Sequence, residues 1–165
     1  GHSQNFVDKM KGFSSVPQDL EAVDTPEEAV TDADIICAAT TSSTPVLRYQ
    51  DLKSGVHING VGSFQPSMQE IDSETIKNAF IFVDSRESAL SETGDLTIPI
   101  QEGIIGKNHL RAEIGELLEN PSLGRKTPDE ITFFKSCGVA VQDVVAAGMA
   151  LEQAKKKNLG KIISM

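Results

Sequence analysis

Four nearly continuous apolar runs constrain this chain most: DIICAAT at 34–40, VHINGV at 56–61, FIFV at 80–83 and ITFFK at 131–135. A strand with one wet face alternates apolar and polar residues, whereas these runs suit parallel strands covered on both faces by helices. Helical patterns separate them. One at 73–79 leads into the third run and one at 85–91 leaves it. Thr25, Pro26 and Glu28 supply an N-cap, a first-turn proline and a capping-box acid for a helix reaching about Thr31. Upstream, Phe6, Val7 and Met10 fall at helical spacing over 3–11 before Gly12, Ser14, Ser15 and Pro17 end the pattern, and 20–23 reads as a short strand. The longest helix is expected over 139–158, closing at Gly160. Between 94 and 124, Gly94, Pro99, Gly103, Gly106, Gly115, Pro121 and Gly124 predict loops with short helices, one of them at 114–119. The alternation predicts an α/β fold with a doubly wound parallel sheet in one domain.

Charge narrows the partners. Twenty-four acidic against 15 basic residues give a formal net charge of -9, which repels phosphate backbones and anionic membrane surfaces. The basic run Lys155, Lys156 and Lys157 sits at a helix end, where it complements the helix dipole. No apolar run reaches the roughly 18 residues of a membrane span, and the start shows no signal segment. Neither nucleic acid nor a membrane is expected as a partner. Cys37 and Cys137 lie in apolar surroundings without CxxC spacing, so buried free thiols, no metal and a reducing cytoplasm are the expectation. His2, His57 and His109 share no spacing with one another or with a carboxylate cluster, and none is nominated as acid, base or metal ligand.

In open parallel sheets, ligands gather beyond the carboxyl ends of the strands. After the first run come Thr40, Thr41, Ser42, Ser43 and Thr44, small donors able to line a ribose or a carboxamide, although composition alone is satisfied by a polar turn. After the second, GVGSFQ invites comparison with GxGxxG but places Gln65 where the third glycine belongs, with no helix starting directly behind it. After the third, Asp84 or Ser85 is placed to cap the next helix. After ITFFK, Ser136, Cys137 and Gly138 lead into the long helix and offer backbone N–H groups and a hydroxyl to a ligand.

In order and spacing, EEAVTDADIICAATTSSTPVL, LKSGVHINGVGSFQPSMQEID, VDSRESALSETGDL and TPDEITFFKSCGVAVQDVVAA resemble the ornithine cyclodeaminase and mu-crystallin family from about Thr25 to Gly160. The resemblance implies an incomplete Rossmann-type NAD- or NADP-binding domain spanning 1–165. The family's first strand, its glycine-rich turn and its N-terminal substrate and dimerisation domain have no counterpart here. It also implies that Thr40, Thr41 and Ser42 approach the cofactor, that Val61, Gly62 and Ser63 line the nicotinamide side, and that Ser136 reaches the cofactor near the substrate. Cyclodeaminases carry an acid/base aspartate two residues after the VG pair. Here that position is Phe64, which cannot exchange a proton, and the lysine of some members four residues further on is Met68. No catalytic residue is therefore assigned. The expected parent is a reductase of a cyclic imino acid or a dehydrogenase interconverting an amino acid and its keto acid. A cyclodeaminase and a non-catalytic crystallin-like binding protein are the alternatives. The chain alone is expected to be inactive, with weak or no cofactor binding. Without a first strand beside it, the 34–40 strand is expected to pair with another copy, or to be covered by 20–23.

Overall fold

The computed structural model describes residues 1–161 and 163. Five parallel strands form one sheet: β1 (Ile35–Ala38), β2 (His57–Gly60), β3 (Phe80–Val83), β4 (Leu110–Glu113) and β5 (Thr132–Lys135), in the order β1-β2-β5-β3-β4. The helices are α1 (His2–Met10), α2 (Pro26–Val30), α3 (Ser73–Asn78), α4 (Arg86–Glu92), α5 (Gly94–Gln101), α6 (Ile114–Glu119) and α7 (Ala140–Lys156). The last strand inserts between β2 and β3. Its register is continuous on both sides, with Phe133 opposite Ile58 and Ile81.

Helix starts follow local chemistry. The Thr25 hydroxyl accepts the Glu28 N–H at 3.2 Å with Pro26 in the first turn, while the Glu28 carboxylate takes the Asp24 N–H. Asp72 caps α3 through the Thr75 N–H, and Ser85 caps α4 through the Ser88 N–H.

In the 94–124 region, where loops with short helices are expected, the structure has short helices and also a strand. Helix α5 runs through Pro99 because Leu96 and Pro99 are buried and the helix packs on α3, so burial outweighs the single hydrogen bond that proline removes. Strand β4 reads LRAE and alternates buried with half-buried residues, as an edge strand paired only with β3 does. Conversely, 20–23 forms no strand and does not cover β1, which remains an edge paired only with β2.

The core fills one side of the sheet. Ile36, Ile58, Ile81, Val83 and Phe133 pack with Ile71 and Ile76 from the α3 region and Leu96 from α5. The other side departs from the two-sided cover that the apolar runs predict. There Ile35 is 66% exposed and Cys37 is exposed, contrary to the expectation of a buried thiol. On that side α6 and the segment at Gly124 and Arg125 border an open groove of about 550 Å³ with His57, Asn59 and Phe134. Helix α7 buries none of its residues.

Candidate functional site at the carboxyl edge of the sheet

Three adjacent strand ends, those of β1, β2 and β5, bring the residues singled out in the sequence to one edge. Thr40 and Thr41 are exposed beyond β1, and Ser42 is half-buried. Their turn is braced locally: the Thr40 hydroxyl accepts the Ser42 N–H at 3.1 Å, and the Ser42 hydroxyl donates to the Thr44 carbonyl at 2.6 Å. Val61 continues the β1–β2 ladder by donating to the Ala38 carbonyl at 2.8 Å and leaves its side chain 53% exposed. At Gly62 a Cβ would fall on the Thr40 backbone and the Glu70 carboxylate, so the two turns touch through their main chains and only glycine fits.

Ser63 is placed differently from its neighbours. It is fully buried, and its hydroxyl donates to the Met68 carbonyl at 2.6 Å and lies 2.7 Å from the Thr93 hydroxyl. Its side chain therefore secures the turn from beneath. Phe64, next along, is 60% exposed at the same edge, whereas Met68 turns inward and is buried.

Ser136 extends β5, donating its N–H to the Gly60 carbonyl at 3.1 Å. Asp84 leaves the cap of α4 to Ser85 and turns across to this junction. Its Oδ2 accepts the Cys137 N–H at 2.9 Å, the Gly138 N–H at 2.6 Å and the Ser136 hydroxyl at 3.4 Å. The amides ahead of α7 are thus already engaged by a side chain, and the Ser136 hydroxyl is the polar group left half-exposed there.

Beneath the turns lie three charged groups with no solvent exposure: Glu70, Asp95 and Lys135. Glu70 accepts the Thr40 N–H at 2.5 Å and the Ser63 N–H at 2.9 Å. Asp95 Oδ1 accepts the Glu70 and Ile71 N–H groups at 2.7 and 3.1 Å. Its other oxygen stands 3.5 Å from Lys135 Nζ, an ion pair out of hydrogen-bond alignment. Burial pushes the Asp95 carboxyl above its ordinary value, against the opposing pull of Lys135 and of those two amides. Burial also pushes the Cys137 thiol up to about 11, helped by the Asp84 charge. Sequence reading missed this buried layer. Its signal was a lysine closing an otherwise apolar strand, since lysine is almost never fully buried unless paired.

No group of His, Cys, Asp and Glu among the described residues is arranged to hold a metal. Nor is any strand among the described residues followed by a glycine-rich turn opening a helix, the arrangement that binds a pyrophosphate. The parallel sheet with its polar carboxyl edge defines a Rossmann-type α/β fold. The model of the ornithine cyclodeaminase/mu-crystallin family matches residues 2–158, and the chain belongs to that family. A Delta(1)-pyrroline-2-carboxylate reductase of Bacillus cereus is 46% identical over 137 residues, covering 82% of this chain and 42% of that protein. Among solved structures, the Delta(1)-pyrroline-2-carboxylate reductase of Thermococcus litoralis, in complex with NADH and L-proline, superposes with a TM-score of 0.86 at 34% identity, over 98% of this chain and 48% of that one. An archaeal alanine dehydrogenase dimer with bound NAD gives 0.85 at 34% identity, over 98% and 49%. The chain therefore spans less than half the length of the relatives it matches.

Proposed function

We propose that this chain supplies the nicotinamide side of the cofactor site in an NAD- or NADP-dependent oxidoreductase that reduces a cyclic imino acid or interconverts an amino acid and its keto acid. The observation that carries the reading is the convergence of Thr40, Thr41, Ser42, Val61, Gly62 and Ser136 at one sheet edge, beside a phenylalanine where a cyclodeaminase needs a proton-exchanging acid. The edge fits half of a dinucleotide. Hydroxyls of the β1 turn and Ser136 suit a carboxamide or ribose, exposed Val61 suits an apolar ring face, and Ser63 supports the turn from below. The helix N-terminus that a pyrophosphate requires is missing among the described residues.

Bound there, a reduced nicotinamide supplies hydride to an imine carbon. The chain's residues would hold the ring, and hydride transfer depends chiefly on such positioning. Phe64 offers no proton, which disfavours cyclodeamination at that position and agrees with the reductase and dehydrogenase names among the relatives. A separate substrate domain would carry the amino or imino acid and face this edge across a cleft. That complete protein would act as a homo-oligomer in the cytoplasm. The chain alone is expected to be inactive.

Assay of the complete protein for NADH and NADPH oxidation with pyrroline-2-carboxylate, piperideine-2-carboxylate, and pyruvate plus ammonia tests the reading. Turnover of at least one is expected. Inactivity on all three would favour a non-catalytic binding protein, and ammonia release from ornithine would refute the role given to Phe64.

A further inference from the structure

Glu70 is a fully buried carboxylate that no lysine or arginine among the described residues pairs at ion-pair distance. Its charge is met by backbone. Oε1 accepts the N–H of Thr40, beyond β1, and Oε2 accepts the N–H of Ser63, beyond β2. We propose that Glu70 is the positioning residue of the nicotinamide side: one side chain spanning two strand-end turns, which sets their separation and so the placement of the β1 turn with Thr41 and Ser42 relative to the β2 turn with Val61. This rests on the cofactor reading above and adds to it the group that fixes the pocket's geometry.

The span is rigid because Glu70 is held at both ends of its own backbone. Its N–H donates to Asp95 Oδ1 at 2.7 Å, and its carbonyl accepts the Val46 and Leu47 N–H groups at 2.8 and 3.1 Å. The turns cannot close further, since Gly62 already brings them into main-chain contact, and they cannot open without breaking a bond to one oxygen. Charged acceptors make stronger bonds to amides than neutral ones, and a buried amide that loses its acceptor bears the full desolvation cost. Two donors converging on two oxygens also require a carboxylate. Glutamine has one oxygen, and its NH₂ would face the second amide donor to donor.

The test compares the ¹⁵N-labelled wild-type chain with its Glu70→Gln and Glu70→Asp variants. Amide hydrogen exchange is read at Thr40 and Ser63, with Cys137 and Gly138, which depend on Asp84, as internal controls. Reduced nicotinamide mononucleotide at millimolar concentration is the ligand probe, since it lacks the adenylate half. In Glu70→Gln, exchange at Thr40 or Ser63 should quicken at least tenfold while the controls hold, and the probe's shifts at Thr41 and Ser136 should shrink several-fold. If that variant does not fold, Glu70→Asp keeps the charge but, one methylene shorter, should loosen one turn selectively. Equal protection of both amides, or equal probe shifts at unchanged fold, would overturn the proposal. Absence of probe shifts in the wild type would remove the pocket role and reduce Glu70 to a structural pin, an outcome the exchange data separate from failure of the bracket, while the cofactor reading itself stands or falls with the complete protein's assay.

Discussion

Gly62 marks the closest approach of the two turns. Gly62→Ala should push the β1 and β2 ends apart and lower stability by about 1–3 kcal/mol, the range for forcing extra volume into a packed site, measured by urea unfolding. An unchanged midpoint would show that the turns can yield. The thiols divide by environment. Cys37 lies exposed on the open sheet side, whereas Cys137, raised to about 11, holds roughly a hundredfold less thiolate than at its ordinary value. A thiol-reactive disulfide at pH 8 should modify Cys37 promptly and Cys137 much more slowly, with Cys37→Ser removing the fast phase. Equal rates would contradict the half-buried placement of Cys137 and its raised pKa. At His57 the ring Nδ1 is 2.8 Å from the Thr132 hydroxyl, which also accepts from Arg125 at 2.9 Å. Burial lowers the His57 pKa below its ordinary 6.5 against the pull of Asn59, with Arg125 adding to the lowering. Its contribution to stability is then fully present above about pH 6.5 and is lost as pH falls through the folded value. The melting temperature of the wild type should fall between pH 7 and 5 by more than that of His57→Gln, and an NMR titration of His57 should have its midpoint below 6.5. The hydroxyl-bearing turn at the carboxyl end of β1 was legible at this scale, because Thr40, Thr41 and Ser42 directly follow an apolar run. The buried acids were not, because Glu70 and Asp95 sit in ordinary polar text and their partners are backbone amides contributed by other segments.

Among the elements, the strands were legible from their unbroken apolar runs, although the cover on both faces that such runs predict is not found on the side of Ile35 and Cys37. β4 escaped because it lies at the edge and carries two charged residues. Arg111 is nonetheless built in, stacking over Phe80 at 4.6 Å. The bounds of α5, among the short helices expected at 94–124, were not legible because Gly94 and Pro99 read as breakers, and tertiary burial overrides them. The two phenylalanines of β5 offer a test of which sheet side holds the fold. Phe133 is fully buried in the core, while Phe134 faces the open groove. Phe133→Ala should cost about 3–5 kcal/mol and Phe134→Ala clearly less, by chemical denaturation. Similar losses would mean that the groove side is closed in solution.

For the whole molecule, two surfaces lack cover: the sheet side bearing Ile35 and Cys37, and α7 with Val141, Val144, Val145, Met149 and Leu151 exposed. Exposed apolar area of this kind marks an interaction surface. Sedimentation should therefore show concentration-dependent association of the chain, and a monomer at all concentrations would contradict the expected pairing of the open β1 edge with another copy. The sequence could not announce the open side, because a strand run reads the same whether its second face is covered by its own chain or by something else. The proposed activity of the complete protein, reduction of a cyclic imino acid or interconversion of an amino acid and its keto acid, rests on the family match and the carboxyl-edge hydroxyls, with Phe64 standing where a cyclodeaminase needs an acid. The most direct measurement is the absorbance of NADH or NADPH at 340 nm when the complete protein meets pyrroline-2-carboxylate. Steady loss of absorbance with equimolar formation of proline is predicted, whereas no loss with either cofactor, together with ammonia release from ornithine, would contradict the account.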